Sequence, residues 1–217
     1  MNAGLLPVKR LDRAKARLGP HFDEAQRSAI ARALLDDALD LCRASRRLQW
    51  WVVTDDPAAV DGARGRGLDV LRDDGRGLNQ ALMHAMASVA REGASSVTIV
   101  PADVPLTCEE DLDDVLDTGA TSDVVVVPAR RDGGTNALHM RPPGLLAPRF
   151  GASSLSAHVA AAQRLALRCS ILPLPRLALD IDTSADVRDF IAADGRRDGH
   201  TARVLDRIGR GDERAGS

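Results

Sequence analysis

The chain has 217 residues and a formal net charge of −2, so it can bury a full core and lacks the strongly basic face of a nucleic-acid binder. Three scattered cysteines, Cys42, Cys108 and Cys169, show no metal-ligand spacing and fit incidental or buried thiols in a reducing cytosol. No charged-then-apolar leader opens the chain and no apolar run approaches the ~20 residues of a membrane span, so the expectation is a soluble, cytoplasmic protein that engages no membrane.

Strand and helix patterns alternate throughout. Ala3–Val8 reads as a strand. Asp23 with Gln26 makes a capping box, after which Ile30, Leu34, Ala38 and Leu41 recur at helical spacing. Gln49–Thr54 is an apolar strand that ends in a Thr-Asp-Asp-Pro turn into the next helix. Leu68–Leu71 is a short strand, Leu78–Arg91 a helix, Val97–Pro101 a buried strand and Glu109–Asp117 a helix. Asp123–Pro128 carries four valines in a row, as a strand covered on both faces does. Asn136–Arg141 is a strand, Ser154–Leu165 a helix, and Ser170–Pro175 and Leu177–Asp182 are strands. Thr183 or Ser184 caps a last clear helix over Ala185–Ala193, and Gly209 onward reads as a disordered tail. The alternation predicts one α/β domain over 1–208, a mostly parallel sheet with helices on both faces and its ligand at the carboxyl ends of the strands. With no tyrosine, three phenylalanines and Trp50-Trp51 expected in the core, no stacking platform for single-stranded nucleic acid is present.

Three segments place charge at such strand ends. After the first strand come Lys9, Arg10, Arg13, Lys15 and Arg17; Lys9 and Lys15 are the only lysines in the chain. The loop has neither G-x-G-x-x-G nor a Walker pattern. Lys9, Lys15 and Arg17 instead supply point charges and a fork for a nucleotide's β- and γ-phosphates; a solvated basic loop is the alternative. Asp103 follows the strand at Val97–Pro101, where it either binds metal or caps the turn. Asp180 and Asp182 are two apart, so in an extended segment they share a face, and two such carboxylates repel unless a cation lies between them. Mg²⁺ is the natural occupant, with Asp182 as a helix cap the competing reading. Together these segments point to a nucleotide-using transferase.

Gly133-Gly134-Thr135-Asn136 is either a plain hairpin turn or a close backbone approach to a ligand with Thr135 as donor. Arg149-Phe150-Gly151-Ala152-Ser153-Ser154 leads into a helix whose free N–H groups suit an anion, with Ser154 alternatively a plain N-cap. Asn79 reads a base or caps the helix that begins at Leu78. His84 and His158 fall within helices and read as satisfied structural residues; no Ser/His/Asp or Cys/His set appears.

Five of these segments, in this order, resemble the guanylyltransferases that activate a small phospho-acid during biosynthesis of the deazaflavin coenzyme F(420). Pro7–Leu18 reproduces P-V-K-x-L-x-x-A-K-x-R-L, Pro101–Leu106 reproduces P-A-D-x-P-L, and Gly133–Leu138, Arg149–Ser154 and Asp180–Asp186 match G-G-T-N-A-L, R-F-G-x-x-S and D-I-D-T-x-x-D. The resemblance spans about residues 5 to 205 and implies a Rossmann-like, GT-A-like nucleotidyltransferase fold. It also implies transfer of GMP from GTP to a phosphate oxygen with release of pyrophosphate. Carried over by motif, Asp103, Asp180 and Asp182 would hold Mg²⁺, and Thr135, Gly151 and Ser154 the phospho-acid. Lys9, Lys15 and Arg17, with Asn79, remain the nucleotide-binding expectation from electrostatics. Lys9, Lys15, Arg17 and Asp103 are the catalytic candidates.

The acceptors used in the family are 2-phospho-L-lactate, phosphoenolpyruvate and 3-phospho-D-glycerate. The Gly-Gly-Thr-Asn-Ala-Leu form departs from the phosphoenolpyruvate-using actinobacterial members and favours the other two acids. The expected partner is a downstream transferase that passes the guanylylated acid to the deazaflavin precursor, and a homodimer is left open. The rival readings are a nucleotidyltransferase for molybdopterin or a sugar phosphate, whose glycine-rich opening loop Leu6-Pro7-Val8-Lys9 does not match, and a non-catalytic nucleotide-binding regulatory domain.

Overall fold

The computed structural model describes residues 1–11, 15–19, 21–73, 75–193 and 198–215; Arg13 lies outside them. A seven-stranded sheet carries the fold, in the order β3-β2-β1-β4-β6-β5-β7. Its strands are β1 (Asn2–Pro7), β2 (Gln49–Thr54), β3 (Asp69–Arg72), β4 (Ser96–Ile99), β5 (Val124–Pro128), β6 (Thr135–Met140) and β7 (Cys169–Ile171). Neighbours pair in parallel except around β6, which runs antiparallel to both β4 and β5. The helices are α1 (Glu24–Ala44), α2 (Pro57–Arg64), α3 (Leu78–Arg91), α4 (Glu109–Gly119), α5 (Ser154–Arg164), α6 (Ser184–Ala192) and α7 (His200–Ala215).

Strand side chains divide between two cores with the period of two that a pleated strand imposes. Leu6, Trp50, Val52 and Val127 point to one face, where they meet Leu35 and Leu39 of α1, Ala59 and Ala63 of α2, and Val115 and Leu116 of α4. Leu5, Trp51, Val53, Val124 and Val126 point to the other, against Leu82, Met86 and Val89 of α3 and Ala162 of α5. This is the doubly covered α/β sheet expected from the sequence. Gly4 sits opposite Trp50 in the β1–β2 register, and a Cβ there would enter the indole ring, so the two strands pack only because that position is bare.

A third core joins Leu18, Ile30 and Leu34 to Val187 and Phe190 of α6 and Leu205 of α7. It corrects two expectations. Residues 177–182 are not a strand: they run through a turn into extended chain with no ladder assigned to them. The segment is fixed by Ile181 N–H donating to the Asp103 carbonyl at 3.0 Å and by burial of Leu179 and Ile181. Helix α6 is also not the last. α7 follows, docked on α1 where Asp37 accepts the N–H groups of His200 and Thr201 at 2.8 and 2.9 Å. It continues through Gly209 to Ala215, past the point where composition suggested a tail, with an Asp206–Arg210 pair one turn apart.

Candidate functional site

Strand β1 is followed in the chain by β2 on one side, while β4 lies on its other side, so the carboxyl ends of β1 and β4 flank a topological switch point. A cleft of about 740 Å³ opens there. Its walls take Lys9, Lys15 and Arg17 from after β1, Asp103 from after β4, Thr135 from the start of β6, Gly151 and Ser154 from the entry to α5, and Asp180 and Asp182 from the segment before α6. Every site residue expected from the sequence is therefore in one cavity except Asn79.

Lys15 holds the floor together. Its Nζ donates to Asp103 Oδ2 at 2.8 Å and to Asp182 Oδ1 at 2.9 Å, while Arg17 approaches Asp182 Oδ2 at 3.7 Å. The residue carries a left-handed backbone, φ 58°, uncommon for a side chain of this size, and its side chain is only 9% exposed. Burial works against the ammonium, yet Asp103 and then Asp182 outweigh it and raise the Lys15 pKa above the ordinary value. For Asp182 burial again opposes the charge; Lys15, then Arg17 and Lys9, overcome it and hold the carboxyl below its usual range.

Asp180 behaves differently. Burial, with the nearby charges of Asp103 and Asp182, pushes its pKa up, and the Asn136 hydrogen bond works in the opposite direction. Asn136 Nδ2 lies 3.2 Å from Asp180 Oδ1 and 3.1 and 3.0 Å from the Leu177 and Ala178 carbonyls. This buried amide fixes the aspartate segment in place of the missing ladder. Sequence reasoning read it as the end of a turn and the start of a strand and missed this role, because its partners lie more than forty residues away. The aspartates still alternate as a strand would make them, because the neighbours Leu179 and Ile181 are anchored below.

Asp103, Asp180 and Asp182 line the same cleft and offer an all-oxygen donor set of the kind a hard divalent cation takes. Among the described residues no group of three such side chains is already drawn together around a metal position. Lys15 instead neutralises two of the three. The donor set fits Mg²⁺ held by one or two carboxylates and completed by substrate phosphates.

Another part of the lining comes from the β5–β6 turn and the entry to α5. Gly133 has φ 67°, and a Cβ on Gly134 would strike Asp132, whose Oδ1 accepts the Gly134 N–H at 2.8 Å. The cap of α5 is Ser153, at φ 55° and with no side-chain cap bond, so Ser154 is the first helical residue rather than the N-cap. Thr135 Oγ1 lies 3.1 Å from His158 Nδ1, and the Arg149 N–H donates to His158 Nε2 at 2.8 Å. Asn79 is spent nearby on backbone: its Oδ1 accepts the Phe150 N–H at 2.8 Å and its Nδ2 donates to the Phe150 carbonyl at 3.1 Å. It braces the Arg149–Gly151 loop rather than facing the cavity. Asp56, which caps α2, also accepts the Leu11 N–H at 2.9 Å and ties down the basic loop.

The family model described as "Guanylyl transferase CofC like" matches residues 2–210. The phosphoenolpyruvate guanylyltransferase of Chloroflexus aggregans is 34% identical over 194 residues, 87% of this chain and 96% of that protein. The 2-phospho-L-lactate guanylyltransferase of Methanothermobacter thermautotrophicus is 35% identical, covering 86% of this chain and 82% of its own. The 3-phospho-D-glycerate guanylyltransferase of Phenylobacterium zucineum is 35% identical, covering 88% and 89%. Among solved structures, a protein from Desulfovibrio desulfuricans G20 described as a nucleotide-diphospho-sugar transferase superposes with a TM-score of 0.81 at 20% identity, over 96% of this chain and 95% of that one. A cytidylyltransferase from Leptospira borgpetersenii gives 0.60 at 13% identity, over 98% and 95%. The structural likenesses establish a nucleotidyltransferase-type fold.

Proposed function

The chain belongs to the family of CofC-like guanylyl transferases, and from that premise we propose that it moves GMP from GTP onto the phosphate of a three-carbon phospho-acid in coenzyme F(420) biosynthesis. The observation that carries this reading is the Lys15 bridge between Asp103 and Asp182, in one cleft with Thr135, Gly151 and Ser154. The same cleft holds cations and carboxylates for a nucleotide triphosphate and polar donors for a second anion.

In the reaction an oxygen of the acceptor phosphate forms a bond to the α-phosphorus of GTP, the bond from that phosphorus to the bridging oxygen breaks, and pyrophosphate leaves with its electron pair. The acceptor is already an anion, so no strong base is needed and the transfer can run directly, without a covalent intermediate. What the protein supplies is alignment of two anions that repel and compensation of charge. Lys9, Lys15 and Arg17 take the β- and γ-phosphates. Thr135, Gly151 and Ser154 receive the phospho-acid near the start of α5, where the helix dipole favours negative charge. Asp103, Asp180 and Asp182 would hold Mg²⁺, which when bound offsets charge on the triphosphate. We assign the protein to the cytoplasm and its unstable product to a downstream transferase acting on the deazaflavin precursor.

The relatives named for the three acids are 34%, 35% and 35% identical, so overall identity does not choose among them. The Gly133–Leu138 segment makes 3-phospho-D-glycerate and 2-phospho-L-lactate the first to try. The test is pyrophosphate release with GTP and Mg²⁺, run separately with each acid and with the partner transferase and deazaflavin precursor present to draw product away. Turnover with one acid supports the reading and names the acceptor. A protein that binds GTP but is silent with all three acids overturns it.

A further inference from the structure

We propose that His158, a residue that sequence reading leaves as structural, is the positioning residue of the phospho-acid subsite: it stays neutral with its proton on Nδ1 and so turns the Thr135 hydroxyl hydrogen toward the acceptor. The proposal rests on the functional reading above, which makes Thr135 a ligand of the acid.

The deduction follows from donor and acceptor inventory. His158 is fully buried in α5. The Arg149 amide can only donate, and it points at Nε2 at 2.8 Å, so Nε2 must offer its lone pair. A ring with a bare Nε2 is neutral and carries its hydrogen on Nδ1. Nδ1 lies 3.1 Å from Thr135 Oγ1, so that hydrogen is donated to the hydroxyl oxygen, which acts there as acceptor. The ring then has no lone pair left to take the threonine hydrogen, which is free to be donated on the cleft side, where Gly151 and Ser154 also line the wall. The opposite tautomer would invert this: Thr135 would donate into the protein and turn a lone pair toward an anion, a repulsive arrangement.

The surroundings hold the ring in this state. Burial first, and then the charge of Arg149, lower the His158 pKa to about 4, so the imidazole does not charge at neutral pH. Phe150 packs edge-on against it, ring centroids 5.3 Å apart at 70°, and Asn79 of α3 clamps the Phe150 backbone. One side chain thus couples both polypeptide segments of the subsite, the β6 start through Thr135 and the Arg149–Gly151 loop through Arg149.

Two substitutions separate the two ring nitrogens. His158→Asn keeps a donor near the Nδ1 position, whereas His158→Gln keeps an acceptor near Nε2 and loses the Thr135 contact. The expected result is that His158→Gln raises KM for the phospho-acid by about tenfold, the loss of one oriented hydrogen bond to a charged group, with KM for GTP unchanged. His158→Asn should recover much of that rise. Equal acid KM in wild type and His158→Gln, or equal rises for acid and GTP, overturns the proposal. Wild-type turnover is the control: its absence with every acid counts against the functional reading, not against His158. Independently of activity and of how the variants fold, nitrogen NMR of the ¹⁵N-imidazole-labelled wild type at neutral pH should show a protonated Nδ1 and a bare Nε2. A protonated Nε2 overturns the assignment.

Discussion

Lys15 donates to Asp103 at 2.8 Å although 88 residues separate them, and the same ammonium reaches Asp182, 167 residues on, at 2.9 Å. The lysine thus occupies the electrostatic position between two carboxylates that a divalent cation would otherwise fill. Lys15→Met should lower kcat/KM by about a hundredfold, the usual scale for removing one preorganised charge partner. It should also enlarge the rise in melting temperature on adding Mg²⁺, because Asp103 and Asp182 lose their internal counter-charge. Thermal melts with and without Mg²⁺, beside pyrophosphate assays, check both. Equal Mg²⁺ shifts in the two proteins would contradict competition between the ammonium and the metal.

Asp182→Asn separates catalysis from binding. The substitution keeps size and one acceptor but removes the charge that Lys15 and Arg17 address. Turnover should fall by at least about a hundredfold, while GTP binding, carried mainly by the cations, weakens far less. Calorimetric titration of GTP alongside rate measurements decides it. Parallel loss of both would mean that the substitution collapsed the cleft rather than its chemistry.

Asn79 offers a sharper choice between two readings of one residue. Both polar atoms of its amide are bonded to the Phe150 backbone, so it supports the acid wall. Asn79→Ala should raise KM for the phospho-acid about tenfold, near 1.4 kcal/mol, and leave KM for GTP unchanged. A rise in KM for GTP alone would return Asn79 to the nucleotide side.

The difference between what the sequence revealed and what it hid follows the range of the interactions. The Asp23–Gln26 capping box, the helix from Leu78 to Arg91 and the strand from Gln49 to Thr54 depend on neighbours and were readable at once. Lys15, Asp103 and Asp182 were singled out because charge beside apolar segments is visible without knowing which segments meet. The role of Asn79 was hidden because its partner, Phe150, lies 71 residues away and offers only backbone. Asn136 was hidden for the same reason. Residues 177–182 read as a strand because buried Leu179 and Ile181 alternate with Asp180 and Asp182, a pattern that anchored extended chain shares with a ladder. The antiparallel β6 left no composition signal, since its residues are buried like those of β4 and β5 beside it.

Two buried histidines set a pH dependence of stability. His139, hydrogen-bonded through Nδ1 to Thr98 Oγ1 at 2.9 Å, and His158 are each lowered to about 4, by burial first and then by a nearby arginine. Unfolded, both titrate near 6.5. Between these values the unfolded chain binds protons that the folded chain refuses, so their contribution is complete above about pH 6.5 and is lost as pH falls toward 4. Each histidine adds at most about 1.4 kcal/mol of destabilisation per pH unit in that window. Urea midpoints at several pH values from neutral to mildly acidic should therefore fall less steeply for His139→Gln than for wild type. The carboxylates contribute the same acid loss to both proteins, so the difference in slope isolates the imidazole. Identical slopes would mean that His139 already takes up its proton in the folded state.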